Sequence, residues 1–306
     1  ILIPGGKDYP ALIGDNDLPY ENAGVLKTTG FELQAKWSDR LANGLSYSVG
    51  VALSDDKAEV VSYPSNPTNK LGDGSLYKGY TVGDIWGYVT GGILQEGDFD
   101  GVGANGKPLY HGPYFKGGQA YPGYVWYKDL DNDGVITSGL NTVDDPGDRK
   151  IIGNNAPRYR YNITANFQYK GFDLDLMFQG VGKRDYWLAS TSSYWGNGAG
   201  SWETYNDSWT PERTNAKFPM YGSGVGSYTQ TGYLLDASYI KLKQVILGYS
   251  FPKSLINKIG VEKLRLNIAG YNLFTISDVP KYYDADYLSD AYPPKRTFSV
   301  GIQVGF

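Results

Sequence analysis

Three aspartates at alternate positions, Asp129, Asp131 and Asp133, are followed directly by Gly134 and Val135. An EF-hand loop offers its ligands in that order, with carboxylates at positions 1, 3 and 5, a glycine at 6 and a main-chain carbonyl at 7. Carboxylates spaced in this way around a glycine turn can converge on one point, and a hard cation such as Ca2+ needs several oxygens at ~2.3–2.6 Å. Position 12 is Leu140, where an EF-hand carries its bidentate glutamate, so the closing carboxylate must come from further on. Asp148 is the first choice, with Asp144 and Asp145 behind it, and Thr137, Ser138 and Gly139 then read as an insertion. The expected metal set is Asp129, Asp131, Asp133, the Val135 carbonyl and Asp148, holding a structural Ca2+ that pins a long loop. The competing reading is a solvated turn in which each aspartate caps local backbone N–H groups. Metal-assisted hydrolysis is not expected, because His111 is the sole histidine and a lone histidine is seldom a ligand.

A second group is aromatic. Trp86, Trp126, Trp187, Trp195 and Trp202 stand, with many tyrosines, in segments rich in Asn, Asp and Gly. Rings among such neighbours can stack on pyranose faces while the polar groups bond hydroxyls, and they can also anchor an extended peptide. These five are the expected substrate-binding residues, against the alternative that the rings pack the loops together. Asp173 and Asp175 share one strand face at ~6.5–7 Å between Cα atoms, a spacing that does not forbid glycosidase chemistry. A polar wall needs such residues anyway, and neither a Ser/His/Asp nor a phosphate-cradling arrangement exists, so no catalytic residue and no organic cofactor are expected.

The elements that would carry these groups are strands. Phe298, Val300, Ile302, Val304 and Phe306 alternate with Ser299, Gly301, Gln303 and Gly305, the period of two that sorts side chains onto opposite faces. The same alternation runs through Tyr159 to Tyr169, Phe172 to Phe178 and Leu45 to Leu53, with shorter copies from Phe31 to Trp37 and Leu264 to Ile268. From Ala237 to Phe251 the parity changes between Leu242 and Val245, which predicts a bulge near Gln244. The joints Ser38 to Gly44, Lys170 with Gly171, and Pro252 to Val261 are short, whereas Lys57 to Ala156, Lys183 to Asp236 and Ser277 to Lys295 are long. Short and long alternate strictly, as they do where periplasmic turns are short and external loops long. The expected fold is therefore all-β, a transmembrane antiparallel β-barrel with long extracellular loops. A soluble β-sandwich would alternate too, but does not explain the sorting of the loops.

Composition agrees. The 306 residues include 41 Gly, 28 Tyr and 7 Trp and no Cys, so neither disulfides nor thiolate metal sites hold the fold. With no long apolar run, a helical membrane protein is excluded. A net charge of −4 with interspersed signs sets nucleic acid aside. Ile1 falls in sequence of loop character, so the chain is expected to be part of something longer.

Tyr239-Ile240-Lys241-Leu242-Lys243, then Gly248-Tyr249-Ser250-Phe251-Pro252, Leu264-Arg265-Leu266, Gly270-Tyr271-Asn272-Leu273-Phe274 and the last strand ending in Phe306 resemble the TonB-linked outer-membrane proteins of the SusC/RagA family. The acidic stretch from Pro122 and Gly123 through Asp129–Ile136 to Gly147–Gly153 is similar to the same family, so the resemblance covers most of the chain from about Phe31. It implies a 22-stranded barrel closed by an amino-terminal plug, with this chain, 1–306, as the C-terminal part of the barrel, about a third of it. It further implies import of oligosaccharides or peptides across the bacterial outer membrane, powered through TonB, under a SusD-like surface lipoprotein, contact with which is a further alternative role for the loop rings. The partners are then the remaining strands and plug, that lipoprotein, TonB through the absent amino-terminal part, the substrate and the lipid bilayer. Phe306 would belong to the membrane-insertion signal. The alternative is a secreted Ca2+-dependent carbohydrate-binding β module.

Overall fold

The computed structural model describes residues 2–4, 20–72, 75–187, 202–221, 228–281, 283–288 and 294–306. The chain is all-β, and no described helix is long and apolar enough to cross a membrane. It divides into two compact units, one built from 29–57, 156–185 and 236–306, the other from 1–28, 58–155 and 186–235.

The first unit holds most of a seven-stranded sheet. Its strands are β1 (Val25–Arg40), β2 (Ser46–Ser62), β3 (Arg158–Tyr169), β4 (Phe172–Lys183), β5 (Tyr239–Ser250), β6 (Lys263–Ile276) and β7 (Thr297–Gly305). Neighbours in the sheet are neighbours in sequence, and every pair from β2 onward is antiparallel. Seven expected segments thus become seven strands, several of them longer than the alternation marks. The tightest joint, Lys170 and Gly171, has φ of 47° and 90°, the left-handed pair of a type I′ hairpin, which is why glycine takes the second place.

Register explains the alternation. Tyr47, Phe167, Leu174, Leu247, Ile268 and Val300 are successive cross-strand partners, and Val49, Ala165, Leu176, Val245, Gly270 and Phe298 form the next row but one. Between them runs Ser48, Asn166, Asp175, Ile246, Ala269 and Ser299, facing the other way. Exposure along the apolar rows rises toward the edge strand: Phe167, Leu174 and Leu176 are half-buried, Ile268 is 54% exposed, and Val300 of β7 is 80% exposed. From the Tyr161 row to the Tyr169 row this band runs about 26 Å along the strands, or about 20 Å in depth at a ~40° tilt, close to the ~25 Å apolar band of transmembrane barrels. The expected bulge is present one residue earlier than read. Met177 opposes Gln244 and Phe178 opposes Leu242, which leaves Lys243 as the extra residue and keeps Ile240 and Leu242 on the face of Val245 and Leu247.

The second unit inverts this pattern and has a core of its own. Small ladders pair Asp84–Tyr88 with Arg149–Asn154, Thr90–Ile93 with Val125–Tyr127, and Phe99–Val102 with Pro108–Tyr110. Tyr77, Tyr88, Leu94, Val125, Tyr127, Ile136, Trp209 and Phe218 are buried among them. Burial pushes the Tyr127 phenol far up, and raises that of Tyr114 to about 12.

Candidate functional site

The acidic loop joins the strand Val125–Tyr127 to the short strand Val135–Ile136. It turns sharply because Asn132 and Gly134 both take positive φ, 62° and 87°, and nothing stands within 4 Å of where a Gly134 side chain would start. Asp129 accepts from the Asn132 N–H at 2.6 Å and the Gly134 N–H at 2.8 Å. Asp148 is fully buried and reaches back across the loop, accepting from the Leu130 N–H and the Thr137 N–H, both at 2.7 Å. Carboxylate oxygens of Asp129, Asp131 and Asp148 lie within 4.8 Å of one another. Asp133 stands outside this trio; its Oδ1 accepts from the Val135 N–H at 2.8 Å, as a capping aspartate does. The Asp145 backbone N–H donates to the Thr142 hydroxyl at 3.1 Å, and its carboxylate is not among the three that converge. Asp148, eighteen residues beyond Leu130, is thus the carboxylate that joins Asp129 and Asp131.

The electrostatics of the trio are divided. Desolvation works against ionised Asp129, but its bonds from Gly134 and Asn132 outweigh it and hold the carboxyl below the ordinary range. Asp131 has one such bond, from the Asp133 N–H, yet desolvation and the negative charges of Asp148 and Asp133 raise it. Three crowded carboxylates, each accepting at least one backbone N–H, form a donor set that suits a hard cation.

The expected substrate aromatics part company. Trp86 donates its indole N–H to the Tyr77 hydroxyl at 2.8 Å, and Trp86 and Trp187 both line a cavity of about 710 Å³. Trp126 instead covers Gly91, where any side chain would meet the indole ring at 2.4 Å. Trp202 opens a one-turn helix, Trp202–Asn206, is 77% exposed, and meets Tyr205 edge-on. Trp195 lies outside the described residues.

On the polar face of the sheet, Asp173 and Asp175 are both held by neighbours, the first by the Arg265 guanidinium and the second by the Asn166 amide. Sequence reasoning missed a larger network at the start of β5. Lys241, only 1% exposed in its side chain, gives its ammonium to both oxygens of Asp284 at 2.6 and 2.7 Å. Lys243 and the Tyr239 hydroxyl donate to Asp286 at 2.8 and 2.6 Å. The available signal was the match between Lys-Leu-Lys at 241–243 and Asp-Ala-Asp at 284–286. Phe306 follows β7 and is 88% exposed.

No family model matches the chain. Among curated proteins, TonB-dependent receptor P3 of Formosa agariphila is 28% identical over 94% of this chain and 29% of its own length. TonB-dependent receptor P39 of the same organism is 23% identical over 93% of this chain and 31% of its own length. The chain spans about three tenths of the length of these relatives. Among solved structures, the RagAB peptide importer in its open-open state superposes with a TM-score of 0.69 at 20% identity, covering 100% of this chain and 31% of that one. Its closed-closed state gives 0.68 at 19% identity, with 100% and 32% covered. The structural likeness carries the fold, a sheet with one apolar face, and the sequence likeness runs nearly end to end. The chain is therefore similar in sequence to TonB-dependent receptors and similar in fold to the RagAB peptide importer.

Proposed function

We propose that this chain supplies part of the barrel wall and the substrate-facing external loops of an outer-membrane importer driven through TonB. The observation that carries this reading is the pair of faces on one sheet: apolar rows, exposed or half-buried, across six strands on one side, and rows rich in Ser, Asn, Asp and Gly on the other. Lipid is the solvent for which the first face is suited, and a watery passage suits the second. In this reading β1 and β7 pair with further strands of a 22-stranded barrel, since open sheet edges are not tolerated in lipid. The plug, the contact with TonB and a SusD-like lipoprotein complete the assembly, and the cargo is an oligosaccharide or a peptide.

The acidic loop holds Ca2+ in this proposal, through Asp129, Asp131 and Asp148, with no catalytic part. It would fix the fold of the loop between β2 and β3. The wall carboxylates Asp173 and Asp175, each bonded by a neighbour, serve the passage and not a reaction.

The test is fractionation of the native source, followed by gentle detergent extraction. Recovery of the chain from the outer membrane, together with a plug-bearing polypeptide and a surface lipoprotein, is the expected result. Recovery as a monomer in plain buffer would overturn the reading in favour of a secreted Ca2+-dependent carbohydrate-binding module.

A further inference from the structure

The cavity lined by Trp86 and Trp187 lies wholly within the second unit, and its ~710 Å³ falls in the ~300–1,000 Å³ range of small-molecule sites. Tyr80, Tyr186 and Tyr228 add further ring walls. Along the strand Asp84–Tyr88, period two puts Asp84, Trp86 and Tyr88 on one face, and Arg149 sits directly across the ladder from Tyr88.

Arg149 is what sets this cavity apart. Its Nε donates to the Pro146 carbonyl at 3.3 Å, and its Nη2 to the Ser138 carbonyl at 3.2 Å and the Asn141 side-chain oxygen at 2.7 Å. All three acceptors are neutral. Among the described residues no carboxylate pairs with this guanidinium, and its Nη1 makes no hydrogen bond. The nearby acids are committed elsewhere. Both oxygens of Asp148 accept backbone N–H groups, and Asp84, four residues from Tyr88 and so about 13 Å along the strand, accepts from Asn154 and Thr81. One end of an aromatic cavity therefore presents an oriented cation with a donor to spare.

We infer that this cavity binds an acidic oligosaccharide, its pyranose faces against the rings and a singly charged carboxylate or sulfate ester on Arg149 Nη1. The inference rests on the import reading above and narrows its cargo. A sugar fits better than a peptide because an extended peptide seeks a free strand edge. Asp84–Tyr88 is paired with Arg149–Asn154 on one side, and the Tyr88 N–H is taken by the Thr229 carbonyl on the other.

The experiment is calorimetric titration of the full receptor, extracted in detergent, with four probes: a uronic-acid trisaccharide, a sulfated trisaccharide, their neutral counterpart and a tripeptide with a free carboxylate. At least one acidic sugar is expected to bind about tenfold or more tighter than the neutral one, as a charge-assisted hydrogen bond gives. Which acid binds identifies the anion. Arg149→Gln should abolish that preference, and Trp86→Ala should weaken binding of acidic and neutral sugars alike. Equal binding of acidic and neutral sugars by the unaltered receptor, preference for the tripeptide, or a preference that survives Arg149→Gln overturns the inference. The first two outcomes decide even if the variant fails to fold. Uptake by cells with and without TonB separates the two readings. Binding without TonB-dependent uptake sinks import and leaves the site, whereas uptake of neutral and acidic sugars alike sinks the site and leaves import.

Discussion

Replacing Asp284 by Asn tests the network at the head of β5. The substitution keeps shape and removes one charge, leaving the Lys241 ammonium buried with only Asp286, at 3.7 Å, to balance it. Removing one partner of a fully buried ion pair costs about 3–5 kcal/mol. Asp284 is 18% exposed and Asp286 remains, so the expected cost is about 2–3 kcal/mol, or ~30–150-fold in the opening equilibrium of the segment. The reporters are the Tyr287 and Leu288 N–H groups, both bonded to the Asp284 carbonyl, at 3.1 and 2.7 Å. Hydrogen exchange followed by mass spectrometry on the detergent-extracted receptor should show them exchanging faster by that factor, as a local opening requires. Lys241→Met should do less, about 1–2 kcal/mol, because it removes the buried charge and leaves two carboxylates that reach water. Unchanged exchange in Asp284→Asn, or a larger effect from Lys241→Met, would refute the reasoning.

Further outcomes follow from the same geometry. Phe298→Arg, in the middle apolar row, should cost about 2–4 kcal/mol and reduce the heat-modifiable receptor recovered from the outer membrane, while Ser299→Arg on the opposite face should be tolerated. Gly91→Ala drives a methyl into the Trp126 ring and should cost about 1–3 kcal/mol, seen as a lower melting temperature of the loops. Asp148→Asn should remove the protection that Ca2+ is expected to give the acidic loop against protease, while Asp133→Asn should keep most of it. Burial opposes ionisation of Asp286, but Lys243 and Tyr239 overcome it and hold its carboxyl below the ordinary range. Because its folded value is depressed, its stabilisation is complete above the unfolded value of ~3.9 and lost as pH falls through the folded one. Proteolysis of the segment 277–288 should therefore stay constant from about pH 8 to 5 and rise only below about pH 4.

The sheet was legible because its two faces differ along every strand, Val300 apolar beside Ser299 polar, so parity survives in the sequence. The alternation does not run the full length of every strand. β1 runs on to Val25, β2 to Ser62 and β6 to Ile276, and in β2 the apolar alternation gives way to Asp55 and Asp56, which pair with Arg158 and Arg160, and to Lys57 and Glu59. The acidic loop was half legible. Its spacing marked Asp129 and Asp131, and the missing glutamate pointed to Asp148, but nothing local could say that Asp133 would cap Val135 instead. The loop aromatics were the least legible, since Trp86 and Trp126 differ only in what lies opposite them, a cavity in one case and Gly91 in the other. That difference arises from folding at long range, as does the meeting of Lys241 with Asp284.

The extra residue at Lys243 means that β5 is read in two frames, odd residues facing the polar side above it and even residues below. Length can vary freely in the loops, but a single codon lost or gained between Tyr239 and Ser250 would exchange Tyr239 and Lys241 with Ile240 and Leu242. A phenol and an ammonium would then stand on the apolar face and two aliphatic chains on the polar one. Relatives that differ in length should place their gaps outside this strand, or pay with two compensating changes inside it.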